Sequence, residues 1–399
     1  EQFEPNGPPS MFCVSQARIC LLSVLLVLAG CAGQKTHELL ATAAISAPAS
    51  EVAGTHDIYV ATTRARAEDK RQVFDGQRSS VLSFARVTMA VPKSHKVGEI
   101  ERRKKNQKAD PAKYFTATNV VAYDSQPTFS SALNADIARR GGRALVFVHG
   151  YNTQFDDAIY RMTQIAHDAG YAGTPVLFSW ASGGKTVDYV YDSNSASAAR
   201  DQLEVTLRML AQSGATRIDI IAHSMGNWVT MEALRQLAIT GDRDLNGKLG
   251  DVVLASPDID VDVFKSQMRR YGRPSKPFYL LLSGDDRALE LSQIIAGNKP
   301  RLGGYKDAAD IATYGVVVVD LTNVSAGDRL NHTKFADNPI LVKLLGEGLR
   351  DDDRFTAQSE DDVTRRISQL TQGIGQTVGS AADIIITTPF EVLKIAVGR

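Results

Sequence analysis

The stretch that decides the fold is residues 217–226, RIDIIAHSMG. Its first six residues are rich in isoleucine and predict a buried strand. That strand runs directly into a turn around Ser224, and residues 228–237 are predicted to form a helix. A strand, a sharp turn around a serine and a helix therefore follow one another without a loop between them.

Seven further apolar runs predict the rest of a mostly parallel sheet. Residues 144–148, ALVFV, form a continuous apolar run, as expected of a strand buried on both faces. Segments long enough for helices separate the runs, including residues 156–169 and 196–212, and this alternation predicts an α/β fold with helices on both faces. The predicted strands are residues 58–62, 83–89, 144–148, 175–180, 251–255, 277–282 and 316–319, with the sheet ending near the last of them.

Composition narrows the class of protein. Of the 399 residues, 43% are hydrophobic and 23% are charged, which is typical of a globular chain with a large core. Lys+Arg and Asp+Glu both number 45, so no excess of positive charge favours nucleic acid as a partner. The sequence contains neither a cluster of metal-ligand spacing nor a glycine-rich phosphate loop, and no cofactor or metal is predicted.

The N-terminal segment predicts export and lipid attachment. An apolar run over residues 19–28 follows Arg18, which is the pattern of a secretory signal, and it is shorter than the about 20 residues that a spanning helix requires. Residues 28–31, LAGC, resemble a bacterial lipobox, which implies cleavage before Cys31 and its modification by lipid. Ala32 replaces the usual aspartate of an inner-membrane retention signal, which favours the outer membrane, facing the periplasm. The alternative is an ordinary signal peptide in which Cys31 carries no lipid.

Four segments are expected along the chain. Residues 1–31 form the lipoprotein signal, and residues 32–55, rich in Ala, Ser and Thr, form a flexible tether. Residues 56–350 form the α/β domain, and residues 351–399 form a helical extension. The extension is predicted from an apolar set spaced for one helical face, namely Val363, Ile367, Leu370, Ile374 and Val378.

The turn around Ser224 matches the surroundings of a catalytic nucleophile. The usual pattern is Gly-x-Ser-x-Gly, and here Ala222 stands at the first glycine position while Gly226 is retained. A serine hydroxyl needs a base within hydrogen-bond reach and an acid behind that base. In this fold both follow the nucleophile along the chain, and His332 is the only histidine after Ser224.

The acid has two candidates at predicted strand ends. Asp286 is preferred because the loop after the penultimate strand is its commoner location, and Asp258 is the alternative acid. The carboxylate that is not the acid is expected to cap the helix that follows it. The oxyanion donors are expected to be the backbone amides of Met225 and Tyr151.

These stretches resemble the bacterial alpha/beta hydrolases of the esterase/lipase superfamily that were long catalogued as a domain of unknown function. The resemblance implies an α/β-hydrolase fold and supports Ser224, Asp286 and His332 as the triad. Ala181 stands where the family usually has proline, a change expected to alter loop shape. The matching stretches are residues 61–64 (ATTR), 146–153 (VFVHGYNT), 178–180 (FSW), 221–227 (IAHSMGN), 256–260 (SPDID), 286–289 (DRAL) and 331–332 (NH).

The leading functional prediction is a serine esterase or lipase that forms an acyl-enzyme, with a small-molecule or lipid ester as substrate. Loops over residues 181–192 and 256–273 are expected to shape the pocket. Two alternatives remain at this stage. One is a lipid-anchored envelope protein that uses the fold as a binding scaffold, and the other is an acyltransferase that uses the same three residues.

Overall fold

One sheet of eleven strands organises the part of the chain that the computed structural model describes. That part comprises residues 39–43, 45–69, 72–104, 107–325, 327–350, 382–390 and 392–397. The strands are β1 (Val52–Arg66), β2 (Phe74–Pro92), β3 (Thr116–Tyr123), β4 (Arg143–Val148), β5 (Thr174–Ser179), β6 (Arg217–His223), β7 (Leu249–Ala255), β8 (Phe278–Leu282), β9 (Val316–Asp320), β10 (Ala382–Thr387) and β11 (Val392–Val397).

The helices lie between the strands, mostly as crossovers. They are α1 (Leu39–Thr42), α2 (Gln126–Arg139), α3 (Phe155–Asp168), α4 (Tyr189–Gln212), α5 (Gly226–Ile239), α6 (Val261–Tyr271), α7 (Arg287–Ile295), α8 (Ala308–Ala312), α9 (Lys334–Asp337) and α10 (Pro339–Arg350). Among the described residues, none of the helices is both long enough and apolar enough to cross a membrane.

Seven neighbouring strands form the parallel centre of the sheet, which confirms the predicted fold class. Their order is β9-β8-β7-β6-β4-β5-β1. From β4 the chain moves to β5 on one side and then crosses to β6 on the other. The carboxyl ends of β4 and β6 therefore border the crevice where open α/β sheets bind ligands. Residues 149–151 and Ser224 follow those two strand ends.

The two faces of the sheet carry separate hydrophobic cores. Along β4, Ala144, Val146 and Val148 belong to one buried cluster, whereas Leu145 and Phe147 belong to the cluster on the opposite face. Successive side chains of a strand point to opposite faces, so a strand covered by helices on both sides is apolar at every position. The predicted placement of helices on both faces is confirmed.

The predicted tether is wrong for residues 39–42 and 52–55. Leu39 begins α1, and its side chain is buried in the core rather than exposed. Strand β1 already begins at Val52, which pairs with Pro92. The predicted strands 58–62 and 83–89 are the buried parts of a longer antiparallel pair, whose exposed parts lack the apolar pattern used to recognise strands.

The sheet also continues beyond β9, where the sequence predicted its end. Strands β10 and β11 form an antiparallel hairpin whose first strand pairs with β9. The predicted helical extension over 351–399 is therefore wrong for residues 382–387 and 392–397, where Ile384 and Ile386 lie buried against the core. The apolar set from Val363 to Val378 lies outside the described residues.

Candidate active site

Ser224 occupies a strained backbone conformation at the end of β6. Its φ is 53°, in the left-handed region that side chains other than glycine rarely adopt. Its amide donates to the carbonyl of Ala255 at 3.0 Å, and its own carbonyl accepts from the amide of Asp258 at 3.2 Å. These bonds tie the turn to the end of β7, so the strain is held by the neighbouring strand.

Asn227 also stabilises this turn through hydrogen bonds, a role that was not predicted from the sequence. Its side-chain amide donates to the carbonyls of Ser224 and Ala255, at 2.9 Å each, and the residue is fully buried. One amide group thus joins the serine turn to β7 a second time. The signal in the sequence was an asparagine directly after Gly226 at the start of a predicted helix.

Two glycines allow the backbones of β4 and β6 to approach closely at this point. A Cβ on Gly226 would stand 2.4 Å from the carbonyl oxygen of His149 and 2.5 Å from that of Val148. A Cβ on Gly150 would stand 2.8 Å from the Cβ of Ser224. Ala222 lies buried in β6 at the position where the pattern expects glycine. A side chain is therefore tolerated at 222 but excluded at 150 and 226.

His332 and Asp286 contact one another directly. The Nδ1 of His332 donates to Oδ2 of Asp286 at 2.7 Å. The other carboxylate oxygen of Asp286 accepts from the amides of Ala288 and Leu289, at 3.1 Å each, and so caps α7. The sequence predicts the two roles, acid and helix cap, for different aspartates. In the structure one carboxylate has both sets of contacts.

The backbone of His332 is tied to the serine turn. Its carbonyl accepts from Nε2 of His223 at 3.1 Å and from Oγ of Ser256 at 3.2 Å. The amide of His332 donates to Oδ1 of Asp328 at 3.0 Å. Because His223 immediately precedes Ser224, it links the candidate base to the candidate nucleophile, a role that the sequence analysis missed.

The three histidines of this region differ in pKa. Burial disfavours the protonated ring of His332, but the charge of Asp286 and its hydrogen bond outweigh burial and raise the pKa of His332. Burial, with the nearby ring of His332, holds the pKa of His223 well below its ordinary value. Burial, with the adjacent charge of Arg64, lowers the pKa of His149 to about 3. Of these three, His332 alone has a raised pKa.

Asp258, the alternative acid, has different partners. Its Oδ1 accepts from Oγ of Ser292 at 2.5 Å and lies 3.2 Å from Nε of Arg301. Its Oδ2 accepts from the hydroxyl of Tyr189 at 3.1 Å. Asp258 therefore belongs to a buried ion pair with two hydroxyls, whereas Asp286 faces the imidazole of His332.

A cavity of about 370 Å³ opens beside Ser224 and His332. From the predicted loops 181–192 and 256–273, the cavity takes Thr186 and Tyr189 on one wall and Asp258 on another. The two loops contribute less than expected because α4 already begins at Tyr189 and α6 occupies Val261–Tyr271. Most of the rest comes from two segments that were not predicted, α7 and residues 328–333. The remaining lining residues are Tyr151, Asn152, Thr153, His223, Arg287, Ala288, Leu289, Leu291, Ser292, Ile295, Asp328, Arg329, Leu330 and Thr333.

One family model, described as "Alpha/beta hydrolase of unknown function (DUF900)", matches residues 125–348, more than half of the chain. The chain belongs to this alpha/beta hydrolase family. The match runs from α2 into α10 and contains Ser224, Asp286 and His332. No curated protein matches the chain.

The positions of Tyr151 and Met225 in this alpha/beta hydrolase suit the predicted oxyanion donors. Met225 directly follows Ser224 and precedes the first residue of α5, where a helix carries partial positive charge. Tyr151 follows Gly150, whose backbone abuts Ser224, and it lines the cavity. The hydroxyl of Tyr151 donates to the carbonyl of Thr186, which also lines the cavity.

The loop that carries Tyr151 is held by a buried arginine. Arg64 donates to the carbonyl of Thr153 at 2.6 Å and to Oγ of Ser179 at 2.8 Å. The ring of His149 stacks on Trp180 with centroids 5.2 Å apart, and its Nδ1 donates to the carbonyl of Gly150 at 2.9 Å. His149 thus makes the backbone bond expected of a buried histidine in this turn, and it supports the loop.

Proposed function

We propose that the protein is a serine hydrolase that cleaves carboxylic esters through an acyl-enzyme. The observation that carries the proposal is the 2.7 Å bond between Asp286 and His332, next to a strained turn that presents Ser224 to a cavity. A histidine held by a buried carboxylate, beside a serine at a strand–helix turn, is the arrangement that acyl transfer needs.

The proposed reaction has two halves. His332 accepts the proton of the Ser224 hydroxyl as Oγ attacks the ester carbonyl, and the amides of Tyr151 and Met225 stabilise the oxyanion. The intermediate collapses, His332 returns the proton to the departing alcohol, and the acyl group stays on Ser224. Water, deprotonated by His332, then attacks the acyl-enzyme and releases the acid with Ser224 restored.

Asp286 supports this cycle through His332. Its carboxylate holds the ring in the tautomer with the proton on Nδ1, which leaves Nε2 to accept the serine proton. It also stabilises the imidazolium that forms, in agreement with the raised pKa of His332. The two helix amides that bind its other oxygen keep this carboxylate in place.

Labelling with a fluorophosphonate, followed by peptide mapping, tests the nucleophile. We expect the label on Ser224, and we expect Ser224→Ala to abolish both labelling and the hydrolysis of short p-nitrophenyl esters. Ser292 is a matched control because it is a buried serine that lines the same cavity, so Ser292→Ala should still be labelled. Hydrolysis by Ser224→Ala at the wild-type rate would overturn the proposal.

We also propose that Cys31 carries the lipid anchor, on the outer membrane and facing the periplasm. The support is the LAGC stretch at residues 28–31, which lies outside the described residues. Mass spectrometry of the N-terminal peptide should find an acylated cysteine, and Cys31→Ser should lack that acyl group. A mature N-terminus without lipid would overturn this assignment.

A further inference from the structure

Large aliphatic side chains are exposed on both sides of the cavity mouth. Val187, Val190 and Ile294 are 75%, 68% and 63% exposed, although exposure of such residues is costly in water. Val187 lies between Thr186 and Tyr189, which line the cavity, and Ile294 directly precedes Ile295, which also lines it. The exposed aliphatic residues are thus close neighbours in the sequence of residues that line the cavity.

A hydrogen bond fixes the two sides of the mouth relative to each other. The hydroxyl groups of Tyr189 and Ser292 are 2.7 Å apart, which joins the start of α4 to α7. Ile294 is three residues after Leu291, so the two share a side of α7, and Leu291 lines the cavity. We call Val187, Val190 and Ile294 the aliphatic rim.

Among the exposed charged side chains of the segments that carry and adjoin the aliphatic rim, basic ones outnumber acidic ones. Arg287 and Arg329 line the cavity. Within residues 185–190, 287–299 and 328–330, the exposed charged side chains are the basic Lys185, Arg287, Lys299 and Arg329 and the acidic Glu290, while Asp188 and Asp328 are half-buried. Exposed aliphatic groups beside an excess of basic groups are typical of surfaces that lie on anionic lipid bilayers.

The first described residue, Leu39, lies at the same edge of the sheet. The amide of Leu39 donates to Oδ2 of Asp156 at 3.5 Å, in the first turn of α3. That turn directly follows the loop with Tyr151, which lines the cavity. Cys31 precedes Leu39 by eight residues, and an extended chain of that length spans at most about 28 Å. A lipid on Cys31 would therefore hold this edge of the molecule close to a bilayer.

We propose that the aliphatic rim and its flanking cations dock the cavity mouth on an anionic lipid bilayer, from which the ester substrate enters the cavity. The docking surface is a property of the folded chain, while the route of the substrate rests on the proposed hydrolase function. Burial of the three side chains in the bilayer supplies the apolar attraction, and Lys185, Arg287, Lys299 and Arg329 supply the electrostatic attraction.

Co-flotation with vesicles tests the docking, using residues 31–399 with Cys31→Ser so that neither the apolar run over residues 19–28 nor a lipid anchor contributes. The probe is a vesicle of phosphatidylcholine with one third phosphatidylglycerol. We expect V187S/V190S/I294S to lower the vesicle partition coefficient at least about tenfold, because three apolar contacts are lost. The matched control is V81S/V97S/V205S, which alters three exposed valines away from the cavity and should bind like the parent protein.

The outcomes separate the two proposals. Equal partition of the rim variant and the parent, or no vesicle binding by the parent, would overturn the lipid docking and would favour a protein partner for the rim. Ser224→Ala should bind vesicles as the parent does, because docking does not need the nucleophile. Failure of every variant to cleave esters, with rim-dependent vesicle binding intact, would refute the hydrolase and leave the docking surface supported. Thermal unfolding at the parental midpoint shows that the rim variant is folded.

Discussion

Asp258 and Asp286 follow neighbouring parallel strands, yet they have different surroundings. Asp258 comes after β7 and Asp286 after β8, and both side chains are buried at the same edge of the sheet. Asp286 binds the ring of His332 and the end of α7. Asp258 binds Arg301 and two hydroxyl groups. Position after a strand made both plausible acids, and only their partners separate them.

The difference shows how one edge of a sheet can supply both chemistry and support. A carboxylate beside a histidine orients the ring and stabilises its protonated form. A carboxylate beside an arginine is compensated by a permanent cation, which leaves the aspartate a structural part of the cavity wall. The pair Asp258–Arg301 holds Tyr189 and Ser292 at the cavity, whereas the pair Asp286–His332 is the one that we propose moves a proton.

The largest expected effect is on kcat for ester hydrolysis, and it distinguishes Asp286 from Asp258 as the acid. We expect Asp286→Asn to lower kcat for ester hydrolysis by roughly 10³–10⁴-fold, because the amide favours the wrong tautomer of His332. Asp258→Asn should lower kcat far less, since Asp258 contacts Arg301 and not the base. Steady-state kinetics on a soluble p-nitrophenyl ester measure both. A larger loss in Asp258→Asn would reverse the assignment of the acid.

The next largest effect is expected on the free energy of unfolding, through the ion pair of Asp258 with Arg301. Asp258→Ala leaves the buried guanidinium of Arg301 without its carboxylate, and breaking a buried pair costs about 3–5 kcal/mol of unfolding free energy. The double variant Asp258→Ala/Arg301→Met should recover much of that loss because no unpaired charge remains. Urea denaturation measures both variants, and an equal loss in the two would show that the ion pair is not the cause.

A smaller effect is expected at His223, which positions His332 through its backbone carbonyl. His223→Phe removes the donor at 3.1 Å, and we expect kcat to fall about tenfold as the base loses its alignment. His223→Gln keeps a donor of similar reach and should restore most of kcat. If His223→Phe loses stability while kcat is unchanged, His223 contributes to packing and does not position His332.

The smallest expected effect is a shift in the pH dependence of kcat/KM. The base must be neutral to accept a proton, so activity should fall as the pH drops through the pKa of His332. Asp286 raises that pKa, which places the acid limb above the 6.5 of an ordinary histidine. In Asp286→Asn the limb should move to lower pH, because the charge that favours imidazolium is gone. An unmoved limb would show that another group controls the profile.

Much of the centre of the fold could be predicted because its residues are buried on both faces. Residues 144–148 of β4 are all apolar because helices cover both faces of the sheet, so their pattern predicted a strand buried on both faces. The ends of the sheet could not be read in this way. Strand β3, TATNVVAY, lies at one edge and mixes polar with apolar residues, and β10 follows a segment whose periodicity indicated a helix.

The candidate site likewise contains residues that could be predicted from the sequence and residues that could not. Ser224 and Gly226 could be recognised because a strained turn between a strand and a helix imposes small residues at fixed spacing. Asn227, His223 and Arg64 could not, because each acts through hydrogen bonds to backbone groups, which no spacing in the sequence records. The aliphatic rim was also invisible, since exposed valine and isoleucine resemble core residues until the fold shows that they face solvent.

The amino-acid sequence by itself determined the parallel sheet, the serine turn and the single histidine downstream of it, because burial and backbone strain act locally along the chain. Only the tertiary structure decided which carboxylate meets that histidine. Asp286 and His332 are separated by 46 residues, and their contact depends on two loops that converge at one edge of the sheet. A hydrogen bond requires atoms within about 3 Å of each other, and only the packed chain sets a distance of that size.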